Sequence, residues 1–158
     1  MMPFELVALV PALPLLAALL VAALHLAGPA RGEAGEALTA RITMAAIAVS
    51  FLVLLGLDAA ALASGAPGQV LVADWFASGA LHIPLSFTLD RLSLSFGTLV
   101  GFIALVTLKF SVNYMHREAG FHRFFIGMNL FAAGMLLIVL AGNAALAFVG
   151  WELAGVSS

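Results

Sequence analysis

The sequence is poor in two kinds of residue that most soluble proteins contain, cysteine and charged residues. None of its 158 residues is cysteine, which excludes disulfide bonds, thiolate metal sites and cysteine nucleophiles. Charged residues make up 9% of the chain, against about 25% in a typical soluble protein, and the net charge is −2. No basic run indicates nucleic-acid binding. Apolar residues reach 64% instead, so the sequence predicts an integral membrane protein.

The apolar residues fall into long blocks that predict membrane-spanning helices. A helix needs about 20 apolar residues to cross a hydrocarbon core of about 30 Å. Four blocks meet that length and a fifth is incomplete, so we expect an all-α polytopic membrane protein with a single membrane domain, 1–158. The predicted spans are 6–26, 42–64, 92–112, 124–141 and an incomplete one at 143–158.

The uncharged stretch from Phe124 to Trp151 is compatible with two structures. As one helix of 28 residues it would be about 42 Å long, well beyond the hydrocarbon thickness. Gly142 and Asn143 supply the turn chemistry for a helical hairpin, which we favour. Glu152 then lies about 14 Å into the fifth helix, near the middle of the bilayer, whereas in a single long helix it would be interfacial.

Basic residues are concentrated in two of the connections between spans. The loop 65–91 carries only Arg91, and the amino terminus carries none. The positive-inside rule therefore predicts that loops 28–41 and 113–123 are cytoplasmic and that the amino terminus is outside. We expect the membrane to be the inner (plasma) membrane. The basic residues in or beside the two cytoplasmic loops are Arg31, Arg41, Lys109, Arg117 and Arg123.

The long outer loop, 65–91, contains two β-prone runs. They are residues 70–76 and 81–87, and the small residues Ser78 and Gly79 lie between them. Such a pattern is typical of two strands around a tight turn. We therefore expect a short extracytoplasmic β-hairpin between helices 2 and 3.

Several polar residues lie within or at the ends of the predicted spans. The stem of Lys109 can reach along the helix to the cytoplasmic headgroups, and we prefer that interpretation to a role in a proton relay. Asp58 either faces a neighbouring helix, where it would be a second relay candidate, or lies where the helix frays into the outer interface; both interpretations stay open. Asp90 and Arg91 are interpreted as a helix cap followed by an interfacial cation.

The histidines at the ends of the spans have the right chemistry for proton exchange. His25 ends the first span, and His116 and His122 flank the third loop. Surface histidines are more often solvated than functional, so we expect these to be solvated. Their spacing does not suggest a metal site, and we predict none.

Small residues recur at four-residue spacing in two of the spans. Gly97 and Gly101 form such a step in the third span, and Gly150, Ala154 and Ser158 form another in the fifth. Small residues at this spacing let two helices approach closely. We therefore predict helix packing at these positions.

Glu152 is the only charged residue in the last 35 positions. A lone carboxyl group in hydrocarbon is costly, which marks it as a functional candidate. It could be a neutral, hydrogen-bonded group that serves packing alone. We favour a proton relay, in which its charge changes as a cation approaches or leaves. Neither the fourth nor the fifth span contains a lysine, so the partner must come from elsewhere.

An ordered set of motifs in the second half of the chain resembles a known family. The set extends over about residues 85–158 and is similar to the amino-terminal region of the proton-translocating, antiporter-like membrane subunits. That family includes chain 5 or subunit L of respiratory complex I, the large membrane subunit of Mrp-type sodium/proton antiporters, and related subunits of membrane hydrogenases and inorganic-carbon uptake complexes. The motifs are Asp90-Arg91-Leu92-Ser93, the run from Tyr114 to Phe125, Asn129-Leu130-Phe131, Leu140-Ala141-Gly142-Asn143 and Phe148-Val149-Gly150-Trp151-Glu152.

The resemblance implies a larger helical bundle with two inverted repeats. This chain would be the amino-terminal part of the subunit, supplying its first four helices and part of the fifth. Glu152 matches the glutamate on the fifth helix that pairs with a lysine on the seventh in that family. The implied partners are the other membrane subunits, the lipid bilayer and the remaining part of the subunit, with no nucleic acid. Flavin, iron–sulfur and nicotinamide sites would lie in other subunits, so we expect no cofactor here.

The resemblance leads to one main functional hypothesis and several alternatives. The main one is the amino-terminal portion of a proton-translocating membrane subunit of an NADH-quinone oxidoreductase, which would be a non-redox subunit of that translocase. A subunit of a Mrp-type cation/proton antiporter or of an inorganic-carbon uptake complex is the alternative within this class. A non-conducting helical scaffold fragment is the alternative from another class.

Overall fold

The computed structural model describes residues 3–78 and 81–158, which form a helical bundle with one β-hairpin. Four helical segments are long and apolar enough to cross a membrane, and the last helix, with 14 residues, is shorter. The predicted all-α membrane fold, with its hairpin between the second and third helices, is confirmed. The elements are a 3-10 helix (Pro3–Ala8), α1 (Leu9–Ala27), α2 (Gly32–Ser64), β1 (Gly68–Ser78), β2 (Leu81–Leu89), α3 (Arg91–Tyr114), α4 (Phe121–Leu140) and α5 (Ala144–Ser157).

The second helix begins earlier than the predicted span. α2 starts at Gly32, ten residues before position 42, so only residues 28–31 connect it to α1. Hydropathy marks the part of a helix that hydrocarbon can hold, and the first turns of α2 carry the polar side chains of Glu33 and Glu36. With 33 residues, α2 is about 50 Å long and extends beyond a hydrocarbon core of about 30 Å.

The chain turns sharply between α4 and α5, where we predicted a helical hairpin. Asn143 caps α5, since its Oδ1 accepts a hydrogen bond from the N–H of Leu146 at 2.9 Å. Gly142 donates its N–H to the carbonyl of Ser86 in β2 at 2.8 Å, and a Cβ at position 142 would lie 2.6 Å from Ser86. Glycine is therefore required at this contact, and the single long helix is excluded.

The β-hairpin packs onto one end of the helical bundle. β1 and β2 pair in antiparallel fashion with two register shifts; the predicted turn residue Gly79 lies outside the described residues. Phe87 and Leu89 of β2 are buried in the core at this end, which we call the hairpin end. The α1–α2 and α3–α4 connections lie at the other end, which we call the opposite end. Helix residues in the same core include Val7, Val10, Leu54, Leu136 and Leu140.

The third helix begins with the cap that we predicted at Asp90. The carboxylate of Asp90 accepts a hydrogen bond from the N–H of Ser93 at 2.7 Å, and the Ser93 hydroxyl accepts one from the N–H of Asp90 at 3.0 Å. The bond from the backbone N–H of Ser93 favours the ionised carboxylate and lowers the pKa of Asp90. The cap connects the β-hairpin directly to α3.

The glycines of α3 lie against α2. A Cβ at Gly97 would lie 3.1 Å from Leu54, and a Cβ at Gly101 would lie 3.3 Å from both Leu54 and Phe51. Larger side chains would push α2 and α3 apart. The small-residue step of α3 is therefore used inside this chain.

Candidate functional site

The contact between α4 and α5 sets the rotation of α5 about its own axis. A Cβ at Gly150 would lie 2.8 Å from the carbonyl oxygen of Gly134, and a Cβ at Gly134 would lie 2.8 Å from the backbone nitrogen of Ala154. The two backbones touch here because neither glycine has a side chain. Gly150 and Ala154 therefore face α4.

Glu152 lies on the face of α5 that points away from α4. With 3.6 residues per turn, its side chain is rotated about 200° from Gly150 and about 160° from Ala154. The side chain is exposed, and it forms no ion pair within residues 3–78 and 81–158. It follows Ala144, the first residue of α5, by eight positions, which corresponds to about 12 Å along the helix. The carboxyl group is therefore turned away from α4.

The other two relay candidates lie elsewhere in the bundle. Asp58 of α2 accepts a hydrogen bond from the hydroxyl of Thr98 in α3 at 2.6 Å, so it faces a neighbouring helix and not a frayed end. Lys109 is exposed on α3, eleven positions beyond Thr98, which is about 16 Å along the helix axis. Asp58, Lys109 and Glu152 therefore do not form one cluster.

The structure reveals an acidic residue at the opposite end that the sequence analysis did not single out. Glu36 of α2 is buried. Its Oε1 accepts the backbone N–H of Arg117 at 3.0 Å, and its Oε2 lies 2.7 Å from Nδ1 of His116. Arg117 has a φ of 67°, a left-handed conformation that is unfavourable for a residue with a side chain. The Arg117 side chain also binds Glu33 at 2.8 Å. Glu36 thus fixes the α3–α4 connection against α2.

His122 is buried, whereas we expected the histidines to be solvated. Its Nε2 lies 3.2 Å from the carbonyl of Gly32, so Nε2 carries a proton, because a carbonyl can only accept. Its Nδ1 lies 2.8 Å from the hydroxyl of Thr39. The ring of His25 packs beside it, with the centroids 5.1 Å apart. His122 therefore joins α1, α2 and α4 at the opposite end.

The spacing of polar residues along α2 is the signal that could have predicted these contacts. Glu36, Thr39, Thr43 and Ser50 follow one another after three, four and seven positions, so they share one helix face. All four are buried. Glu36 and Thr39 contact the two histidines at this end of the bundle, whereas the Thr43 hydroxyl donates to the carbonyl of Thr39 within α2. The stripe therefore indicates the buried face of α2, and its first two members bind polar groups of other elements.

Comparison with known proteins agrees with the motifs described above. Residues 75–125 match a family model described as "NADH-Ubiquinone oxidoreductase (complex I), chain 5 N-terminus". NADH-quinone oxidoreductase subunit L of Mycobacterium tuberculosis is 36% identical over 117 residues, covering 63% of this chain and 18% of that protein. NADH-ubiquinone oxidoreductase chain 5 of Candida albicans is 33% identical over 92 residues, covering 58% of this chain and 17% of that protein.

One relative aligns over nearly the whole chain. NAD(P)H-quinone oxidoreductase subunit 5, organellar chromatophore 1, of Paulinella chromatophora is 29% identical over 159 residues, covering 98% of this chain and 23% of that protein. The chain thus spans less than a quarter of the length of these three relatives. These matches support a relationship of the chain to the antiporter-like family of membrane subunits that includes complex I chain 5 and subunit L.

Proposed function

We propose that this chain is the amino-terminal portion of a proton-translocating membrane subunit of an NADH-quinone oxidoreductase (complex I)-type complex, and that Glu152 contributes to its proton relay. The similarity to chain 5 and subunit L supports the type of complex. The observation that carries the relay is the position of Glu152, a lone carboxyl group on the exposed face of an apolar helix whose other face is fixed by Gly150.

The relay follows from the cost of an unpaired carboxylate in hydrocarbon. Such a group is retained where it pairs with a cation or exchanges a proton. A cation that approaches Glu152 favours the ionised form, and its departure favours uptake of a proton. None of the three ion pairs among the described residues involves Glu152, so the cation of this proposal comes from another part of the subunit or from another subunit.

The distribution of basic residues supports a location and an orientation. Five of the six Lys and Arg residues lie toward the opposite end of the bundle, and only Arg91 lies at the hairpin end. By the positive-inside rule, we propose that the opposite end faces the cytoplasm and that the hairpin end faces the outside. We propose the inner (plasma) membrane as the location. The partners under this proposal are the other membrane subunits, and the chain itself binds no cofactor.

Replacing Glu152 by Gln tests the relay, because the amide keeps the shape of the side chain and cannot titrate. The full-length subunit is assembled into its complex and reconstituted into vesicles, and quinone-dependent proton translocation is measured together with assembly. We expect Glu152→Gln to lose translocation with assembly intact and Glu152→Asp to retain part of it. Glu118→Gln, the same change on the exposed α3–α4 connection, is the matched control. Normal translocation by Glu152→Gln would refute the relay.

The same variant separates the alternatives. In a Mrp-type antiporter or an inorganic-carbon uptake complex, Glu152→Gln would abolish the corresponding ion transport with no quinone dependence. In a non-conducting scaffold it would be silent. Gly97 and Gly101 lie against α2, so a scaffold would have to bind its partner through a different face.

A further inference from the structure

At the hairpin end, α2 and α3 form an open cavity that contains charges of both signs. Its volume is about 440 Å³, and its lining includes Asp58 and Leu62 of α2 and Arg91, Leu94 and Ser95 of α3. Asp58 and Arg91 line the same cavity but do not form an ion pair with each other. The cavity therefore offers an acidic and a basic group to one ligand.

Both charged groups retain hydrogen-bonding capacity. The hydroxyl of Thr98 donates to Oδ2 of Asp58 at 2.6 Å, which fixes the carboxylate in position and leaves Oδ1 without a hydrogen bond in the described part of the chain. Arg91 is exposed, and its guanidinium carries five N–H donors. A ligand with a hydrogen-bonding cation and an anion would satisfy both.

Apolar surface extends from the cavity along the two helices. Leu62 lines the cavity and is 86% exposed. Leu55 lies two turns before it on the same face of α2, and Leu99 lies one turn after Ser95 on α3; both are exposed. The ligand that matches the charges can therefore also place hydrocarbon on these leucines.

We propose that this cavity binds the headgroup of a phospholipid with a primary ammonium group, of the phosphatidylethanolamine type. The ammonium donates to Asp58, the phosphate accepts from the Arg91 guanidinium, and an acyl chain covers Leu62. A choline headgroup has no N–H to donate, and a glycerol headgroup donates only from neutral hydroxyls, so neither forms the contact between an ammonium N–H and the carboxylate of Asp58. The proposal is independent of Glu152, which lies on another helix.

Lipid binding to the full-length protein tests the site. Native mass spectrometry is performed with dioleoyl phosphatidylethanolamine, phosphatidylcholine and phosphatidylglycerol at equal concentrations. We expect the ethanolamine lipid to bind about tenfold more tightly than the choline lipid, as one charge-assisted hydrogen bond would give. Asp58→Asn should abolish that preference, whereas Asp74→Asn, an exposed acid on β1, should keep it. Arg91→Gln should weaken the ethanolamine and glycerol lipids alike.

Three results would overturn the proposal. The first is equal binding of the ethanolamine and choline lipids by the unmodified protein, and the second is a preference that persists in Asp58→Asn. The third is a double variant, Asp58→Asn with Arg91→Gln, whose melting temperature without lipid differs strongly from the sum of the two single effects. That result would mean that the two side chains bind each other. Arg91 is exposed, so its variant reports on the phosphate contact even if Asp58→Asn reduces folding.

Discussion

Replacing Glu36 by Ala is expected to release the connection between α3 and α4. The change leaves the N–H of Arg117 and the ring nitrogen of His116 without the carboxylate that they contact. A hydrogen bond to a charged group contributes about 1.5–3 kcal/mol, and the His116 contact counts for less because that side chain is 52% exposed. We therefore expect a loss of about 2 kcal/mol in the free energy of opening this connection, or roughly a 30-fold higher open population.

Trypsin cleavage after Arg117 measures that opening directly. When the connection opens and closes faster than the protease cuts, the cleavage rate follows the open population. Glu36→Ala should therefore be cleaved roughly 30-fold faster than the unmodified protein in the same detergent. Glu36→Gln should show a smaller effect, because its amide still accepts from the N–H of Arg117 but carries no charge.

The neighbouring acid Glu33 provides the matched control. Its ion pair with Arg117 is exposed on both sides, at 57% and 71%. Exposed pairs contribute about 0–1 kcal/mol, so Glu33→Ala should change the cleavage rate only slightly. Equal effects of Glu33→Ala and Glu36→Ala would refute the reasoning, since burial and the backbone hydrogen bond are what distinguish Glu36.

Two further changes test the contacts that orient α5 and begin α3. Gly150→Ala should cost about 1–3 kcal/mol of unfolding free energy in detergent, because the new Cβ would lie 2.8 Å from the carbonyl of Gly134. Gly155→Ala should leave the unfolding free energy nearly unchanged, because a Cβ there would meet nothing within 4 Å, and equal costs of the two variants would contradict the contact. Asp90→Ala should lower the melting temperature at neutral pH, and the difference in melting temperature between the unmodified protein and this variant should become smaller in acid. The hydrogen bond from the N–H of Ser93 lowers the pKa of Asp90 below its usual 3.8. The stabilisation is therefore fully present above pH 3.8 and is lost as the pH falls through the lower pKa of the folded state. A difference in melting temperature that does not change with pH would exclude this explanation.

The membrane fold could be predicted from the sequence because it depends on local properties. The apolar blocks and the break at Gly142 identify the helices, and the β-prone runs identify the hairpin. The early start of α2 could not be read from hydropathy. Its first turns are stabilised by polar contacts with the α3–α4 connection, which lies about 80 positions further along the chain.

Some candidate residues can be identified from the sequence alone, and others only from the structure. Glu152 stands out in the sequence because a single charge in an apolar run is visible without any partner. Glu36 does not, because an acid near the end of a helix is ordinary until the structure shows it buried beneath Arg117. For Asp58, two interpretations stayed open until the structure showed the hydrogen bond from Thr98.

Composition and spacing by themselves determined that this is a helical membrane protein, that its motifs resemble the antiporter-like family, and that a lone carboxyl group lies in its last apolar stretch. Hydropathy and motifs determine this because they are properties of the chain read in order. Only the tertiary structure decided the direction in which that carboxyl group faces, since the rotation of α5 is set by the backbone contact of Gly150 with Gly134. Such a contact between residues on different helices depends on how the helices pack, which the order of residues along one helix does not specify.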